Sequence, residues 1–174
     1  MENMENEVTI RKAGLEDAAL LKELYLKILK ESPDAFVDIF GKESEKSVQD
    51  WEKRVEKSKS IIFIAERSGA PIGMGRGIYE EDDPNIPHVD KLGVLSEFRG
   101  KGIGQALMGD MEKWATENGA DRIRLHVLAD QEKTVNFYKA NGFNIVETLK
   151  GDIQRHDGTW QDVYLMEKIL EIAK

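Results

Sequence analysis

The segment from Lys91 to Leu107 constrains the fold more than any other part of this 174-residue chain. The strand-like residues Lys91-Leu92-Gly93-Val94-Leu95 run through Ser96-Glu97-Phe98 into Arg99-Gly100-Lys101-Gly102-Ile103-Gly104. Beyond the glycines, Ile103, Leu107, Met111 and Trp114 return every three or four positions until Asn118-Gly119, the pattern of an amphipathic helix and its stop. A strand, a glycine-rich turn and a helix in immediate succession aim the unpaired N–H groups of the helix's first turn at any bound anion, with no Cβ in the way. That arrangement is a diphosphate cradle. Its glycines spell neither common nucleotide signature, because Gln105 stands where G-x-G-x-x-G needs glycine and G-x-x-x-x-G-K-[ST] is absent. Gly73-Met74-Gly75-Arg76-Gly77 also fails the dinucleotide test and reads as glycines easing a strand bend.

The remaining chain alternates helical and strand periods. Val8 to Arg11 reads as a strand, and Leu15 to Lys30 as a helix that buries Ala18, Leu21, Leu24, Tyr25, Ile28 and Leu29. Ser32-Pro33-Asp34 ends that helix, the stretch from Phe36 to Ser47 has no clear period, and Val48, Trp51 and Val55 mark a second helix. Strands follow at Ile61–Arg67, Ile72–Tyr79 and His88–Leu95, separated by Ser68-Gly69-Ala70-Pro71 and by Glu80-Glu81-Asp82-Asp83-Pro84. After the Ile103–Asn118 helix come a strand at Arg122–Leu128, a short helix at Lys133–Ala140, and strands at Phe143–Leu149 and Trp160–Ile169, the last two joined by a turn at His156-Asp157-Gly158-Thr159. This order predicts one α/β (α+β) domain with a mixed sheet over residues 8–174, behind a flexible acidic tail at 1–7.

Composition narrows the function classes. Acidic residues outnumber basic ones by eight, mostly in the N-terminal half, which makes a polyanionic nucleic acid a poor partner. The longest strongly apolar run, Ile61 to Ala65, is far short of the ~20 residues of a membrane span, and with an acidic MENMENE start no secretory signal is expected. The absence of cysteine excludes disulfides, thiolate metal sites and a cysteine nucleophile, and fits a reducing, cytoplasmic home. His88, His126 and His156 are widely spaced, so no metal site is expected.

Arg99-Gly100-Lys101-Gly102-Ile103-Gly104 resembles the [R/Q]-x-x-G-x-[G/A] signature of the GNAT (GCN5-related N-acetyltransferase) superfamily. Asn136-Phe137-Tyr138-Lys139-Ala140-Asn141-Gly142-Phe143 resembles the same family's F-Y-x-x-x-G-F helix end, and the element order is similar from Val8 to the C-terminus. The resemblance implies a mostly antiparallel sheet of about seven strands flanked by helices, with a V-shaped splay between the fourth and fifth strands. It implies acetyl-CoA as co-substrate, its pantetheine arm beside Leu92-Gly93-Val94 and its diphosphate on Arg99, Gly100, Lys101, Gly102, Ile103 and Gly104. Gly93 is expected to host the bulge that opens the splay, and the Arg99 and Lys101 side chains either add charge for the adenosine end or are solvated loop cations. Gln131 and Thr134 stand where the family commonly carries asparagine and alanine beside the pantetheine arm.

The implied reaction is acetyl transfer to an amine without a covalent enzyme intermediate, since no cysteine exists to carry the acetyl group. An alkylamine of pKa ~10.4 is protonated at neutral pH, so a base is useful. By the resemblance, His126 on the fifth strand and His88 at the start of the fourth are candidate bases, or else hydrogen-bonded surface residues. Tyr138 is the candidate acid for the departing thiolate, and the Val94 N–H a candidate donor to the thioester carbonyl. Glu80-Glu81-Asp82-Asp83 either draws a cationic amine to the acceptor entrance or is a solvated turn, and Trp51, Phe36 and Phe40 either wall the acceptor side or pack the second helix. The expected acceptor is a primary amine of a small molecule or peptide, with protein N-terminal acetylation and a non-catalytic acyl-CoA-binding or sensing module as alternatives. A homodimer is compatible with this reading.

Overall fold

The computed structural model describes residues 7–32, 39–155 and 157–171. The expected tail up to Asn6, Phe36 and His156 lie outside the described residues, as does the side chain of Phe40. Strand β1 (Val8–Lys12) leads through a single 3-10 turn into α1 (Ala18–Glu31), the short α2 (Ile39–Ser44) and α3 (Val48–Glu56). A meander of β2 (Ser60–Arg67), β3 (Ala70–Glu80) and β4 (Asp83–Val94) precedes α4 (Ile103–Glu117), β5 (Arg122–Leu128), α5 (Glu132–Ala140), β6 (Asn144–Gln154) and β7 (Trp160–Ile169). The seven strands form one sheet in the order β1-β2-β3-β4-β5-β7-β6, antiparallel except where β4 and β5 run parallel. The single α/β domain with a mixed sheet expected from the sequence is therefore present.

Helix α2 falls within the stretch read as having no period. Six residues span less than two turns, too few for apolar positions to recur. Helix α3 begins where Ser47 and Asp50 cap each other: Asp50 N donates to Ser47 Oγ (3.1 Å) and Ser47 N to Asp50 Oδ2 (2.9 Å).

The two faces of the sheet are covered by different helices. On one face α4 and α5 bury Met108, Met111, Val135 and Phe143 against Ile123, Leu125 and Met166. On the other, α1 and α3 bury Leu21, Tyr25, Ile28 and Trp51 against Ile62, Ile64 and Met74. The glycines of β3 set the first distance. A Cβ at Gly75 would come 2.8 Å from Met111 Cε, and one at Gly77 2.7 Å from Trp114 Cζ3, so these glycines admit α4 rather than easing a bend. Trp51 is buried and packs α3 onto α1, edge-on to Tyr25 at 5.7 Å with Arg54 4.5 Å above its ring.

Strand β4 departs from its expected bounds and carries two irregularities. It starts at Asp83 rather than His88, pairing Glu80 with Asp83 before the register jumps to Ile78 opposite His88. The excess residues include Pro84 and Pro87, whose missing N–H groups cost no rung in a bulged stretch. Further on, Met74 faces Gly93 while Arg76 faces Asp90, which leaves one extra residue in β4. Lys91, at φ 53, takes the left-handed conformation of this bulge. The bulge was expected at Gly93, but a Cβ there would lie 2.5 Å from Ile28 Cγ2, so this glycine admits α1 instead. β4 and β5 share one registered pair, His88 with Arg124, and part beyond it toward Val94 and Leu128, which is the expected splay.

Candidate active site

Two elements meet at the open end of the splay. Leu95 N donates to Ile72 O (2.8 Å), a rung to β3. Antiparallel rungs alternate, so Val94 turns its N–H and C=O toward β5, where no residue is registered opposite it. Arg99 Nε donates to Val94 O (2.9 Å) and Nη2 to Ser32 Oγ (2.7 Å), bracing the loop against the ends of β4 and α1. These two bonds fix the side chain on the scaffold while the residue stays exposed. Lys101 lines a hollow of about 360 Å³ between β1 and the start of α4, with Ile10, Arg67, Phe98, Gly102 and Ile103.

The backbone of the loop forms the cradle itself. Gly100 and Gly102 have φ of 75 and 80, and nothing lies within 4 Å of a Cβ built on either. The left-handed backbone explains both glycines, and the space above them is open. The first bond of α4 runs from Ala106 N to Gly102 O (3.0 Å), which leaves the N–H groups of Ile103, Gly104 and Gln105 without helical partners. Gly104 is different: its Cβ would come 3.3 Å from Phe137 Cζ, so it brings α4 against α5.

Helix α5 begins beside the same opening, because it follows the end of β5. Gln131 occupies its N-cap position, with its N–H on Leu128 O (3.1 Å) and its side-chain amide 3.3 Å from Asp130 Oδ1, and half-buried Thr134 lies in the first turn. Tyr138 is buried one turn further, with ring centroids 5.3 Å from Phe137 and 5.8 Å from Phe143. Burial pushes its phenol up to about 12, so it stays protonated at any physiological pH.

The histidines meet on the opposite face of the sheet, at the apex of the splay. Their rings stack with centroids 5.6 Å apart and planes 19° from parallel. They line a cavity of about 370 Å³ with Glu80, Asp82, Asp83, Arg124 and Leu165. His88 is buried, with Nε2 2.8 Å from Asp83 Oδ2, while His126 is exposed. Arg124 Nη1 reaches the same Asp83 oxygen (3.4 Å), and its Nε donates to Glu167 Oε2 (2.7 Å). Burial pushes the His126 imidazole down, and His88 pushes it the same way.

A profile described as the Acetyltransferase (GNAT) family matches residues 25–143, more than half of the chain. The chain belongs to the GNAT acetyltransferase family. Among solved structures it is similar to a GNAT-family acetyltransferase of Streptococcus pneumoniae, at 22% identity over 95% of this chain and 100% of that one, with a TM-score of 0.80. It is similar also to the ribosomal-protein-alanine N-acetyltransferase of Brucella melitensis (24% identity, 93% and 99% covered, TM-score 0.78). A third is yncA of Salmonella typhimurium, solved with its cofactor acetyl-CoA (16% identity, 97% and 96% covered, TM-score 0.80). At such identities the likeness is one of fold.

In this GNAT acetyltransferase the structure groups Leu92, Gly93, Val94, the Arg99–Gly104 loop, Gln131 and Thr134 at the open end of the splay, and His88 and His126 in the cavity at its apex. Glu80, Asp82 and Asp83 line that cavity, so the acidic turn borders the histidines. The sequence reading missed Asp83 as a partner of His88, and missed Arg124 and Leu165. Arg124 and His126 are two apart on a strand and share a face, a signal the alternation contained.

Proposed function

We propose that the chain transfers the acetyl group of acetyl-CoA directly to a primary amine of a small molecule or peptide, within a ternary complex. One observation carries this reading: the parting of β4 from β5 at the end where Val94 turns its N–H into the gap and the α4 N-terminus stands open above Gly100 and Gly102. The pantetheine arm takes the place of the missing rungs along Leu92–Val94, and the diphosphate takes the free N–H groups of Ile103, Gly104 and Gln105. Gln131 and Thr134 flank the arm from the start of α5. The Val94 N–H donates to the thioester oxygen as the amine nitrogen attacks the carbonyl carbon. The C–S bond then breaks, the coenzyme A thiolate leaves with Tyr138 donating a hydrogen bond to its sulfur, and the nitrogen now bonded to the acetyl carbon gives up its second proton to water or to the thiolate. The first proton, that of the acceptor's ammonium, leaves before the attack through the histidine cavity, whose carboxylates at Glu80, Asp82 and Asp83 favour approach of a cation. A peptide α-amine is one acceptor of this class, and the similar Brucella melitensis protein is named for alanine on a ribosomal protein.

The test is coenzyme A release, followed by thiol detection, across polyamines, amino acids, aminoglycosides and short peptides, beside a calorimetric titration with acetyl-CoA. Binding with turnover on any of these amines is the expected result. Binding with no turnover across the panel favours an acyl-CoA-binding module, and absence of binding removes the acetyl-CoA reading.

A further inference from the structure

Val89 and Val94 both belong to the α4 face of the sheet, Val89 in one cluster with Met108 and Met111, Val94 in another with Ile103 and Leu107. Five residues apart on one strand, they would face opposite ways if β4 alternated without interruption. The alternation breaks at Lys91, left-handed at φ 53, which shares with Leu92 the place opposite Gly75. We propose that Lys91 is a positioning residue for the transfer: its side chain holds the β4 bulge, and the bulge decides which amide of the strand faces the gap. This rests on the acetyltransferase reading above.

With the extra residue in place, Leu95 N reaches Ile72 O (2.8 Å) and Val94 turns its N–H into the gap. Without it, the register below the bulge, where Arg76 faces Asp90 and Gly77 faces Val89, would continue to the end of the strand. Val94 would then face α1, and its N–H would turn back to β3. Its side chain would meet the helix whose Ile28 already stands 2.5 Å from a Cβ built at Gly93. One residue thus separates a strand that offers the Val94 N–H to a thioester oxygen from one that does not.

A left-handed backbone is costly for a residue with a Cβ, so something must hold Lys91 there. Neighbouring residues of a strand point to opposite faces, yet Asp90 and Lys91 both reach the α1 layer. Asp90 accepts from Arg76 Nε (2.7 Å) and Nη2 (2.6 Å), and Arg76 is itself buried on β3. The Lys91 ammonium lies 3.8 Å from Asp90 Oδ2 and 5.3 Å from the centre of the Tyr25 ring, with the side chain only 12% exposed. Loss of the bulge would carry that ammonium to the α4 face, where Met111 fills the space over Gly75. An unpaired charge among apolar groups is strongly disfavoured, so the side chain both anchors the bulge and opposes the slip.

The test compares Lys91→Ala with Lys91→Gly, which both lack the ammonium and differ by one methyl group. Glycine takes the left-handed backbone freely, whereas alanine keeps the strain and loses the anchor. Both are measured at a temperature where melting curves show them folded. One readout, which needs no acceptor, is the methyl NOE between Val94 and Leu107, expected in the parent from their shared cluster. The other is kcat and each KM on the best amine of the panel. In Lys91→Ala the NOE weakens and kcat falls about tenfold or more, toward the loss of one oxyanion donor, with the acceptor KM within about twofold. In Lys91→Gly the NOE and most of the parent's kcat return. Equal kcat in the two variants overturns the proposal: low together, the ammonium itself is required; high together, the bulge does not depend on residue 91. A parent inactive with every amine sinks the transfer reading and this proposal with it, whereas an active parent whose Lys91→Ala variant keeps both NOE and kcat sinks this proposal alone.

Discussion

Between Phe137 and Phe143, the Tyr138 phenol is raised to about 12 by burial. In the transfer we propose, a phenol raised in this way gives up its proton to a thiolate of pKa ~8.5 less readily, which favours a hydrogen bond to the developing charge over full proton transfer. Tyr138→Phe should accordingly lower kcat about tenfold while leaving the acetyl-CoA dissociation constant within about twofold, as calorimetry and steady-state kinetics would show. Equal kcat in the variant would remove Tyr138 from the chemistry. At this scale the aromatic run around Tyr138 and the histidines was legible, because each falls at a defined place in a helical or strand period. The partners were not: Asp83 belongs to a run of four acidic residues that reads as a solvated turn, and only the three-dimensional register brings it to His88. The acceptors of Arg99, Val94 O and Ser32 Oγ, escaped for the same reason, since they belong to two other elements.

Glycines that look alike in the sequence separate by role once the elements are packed. Gly102 occupies a left-handed position beneath open space, so Gly102→Ala strains the loop by about 1–2 kcal/mol and should weaken acetyl-CoA binding with little effect on the core. Gly93→Ala instead drives a methyl group into Ile28 and should lower the melting temperature, the overpacking cost being about 1–3 kcal/mol. Paired calorimetry and thermal melts on the two variants check this contrast, and a Gly93→Ala protein as stable as the parent would contradict the α1 packing. Long helices and well-alternating strands were readable from period alone, as α1, α4, β5 and β7 show. The elements that escaped are those whose period is broken. β4 reaches back to Asp83 through two prolines, and β6 continues past Leu149 to Gln154 across a register shift that includes Gly151 at φ 54.

Over the whole molecule, three carboxylates, Asp17 and Glu43 buried and Asp90 half-buried, link folding to pH. The hydrogen bonds of Arg11 hold Asp17 below the usual carboxylate range. For Asp90 and Glu43 burial pushes upward, but the hydrogen bonds and charges of Arg76 on Asp90 and of Arg54 and Lys91 on Glu43 prevail and lower both. A carboxylate depressed in the folded state contributes stability that is fully present above its unfolded pKa of ~4 and is lost as pH falls through the folded value. The melting temperature should therefore hold from neutral pH to about 5 and fall steeply below about 4. Asp17→Asn should melt lower at neutral pH and show a shallower acid fall, and a parallel displacement at every pH would exclude Asp17 from the linkage. The fold class and the cradle were legible at this scale, because element order and the glycine loop are local signals. The meeting of β4, β5 and β7 at the histidines was not, because it depends on a strand order that departs from chain order. With a single rung joining β4 to β5, the middle of the sheet contains two facing strand edges. Val94's amide hydrogen, turned into that gap, exchanges with deuterated solvent as fast as local access allows, whereas Leu95's, bonded to Ile72, waits for larger openings. An occupant that pairs with β4 erases this contrast between adjacent residues, so deuterium uptake at two neighbouring amides reads out how full the gap is.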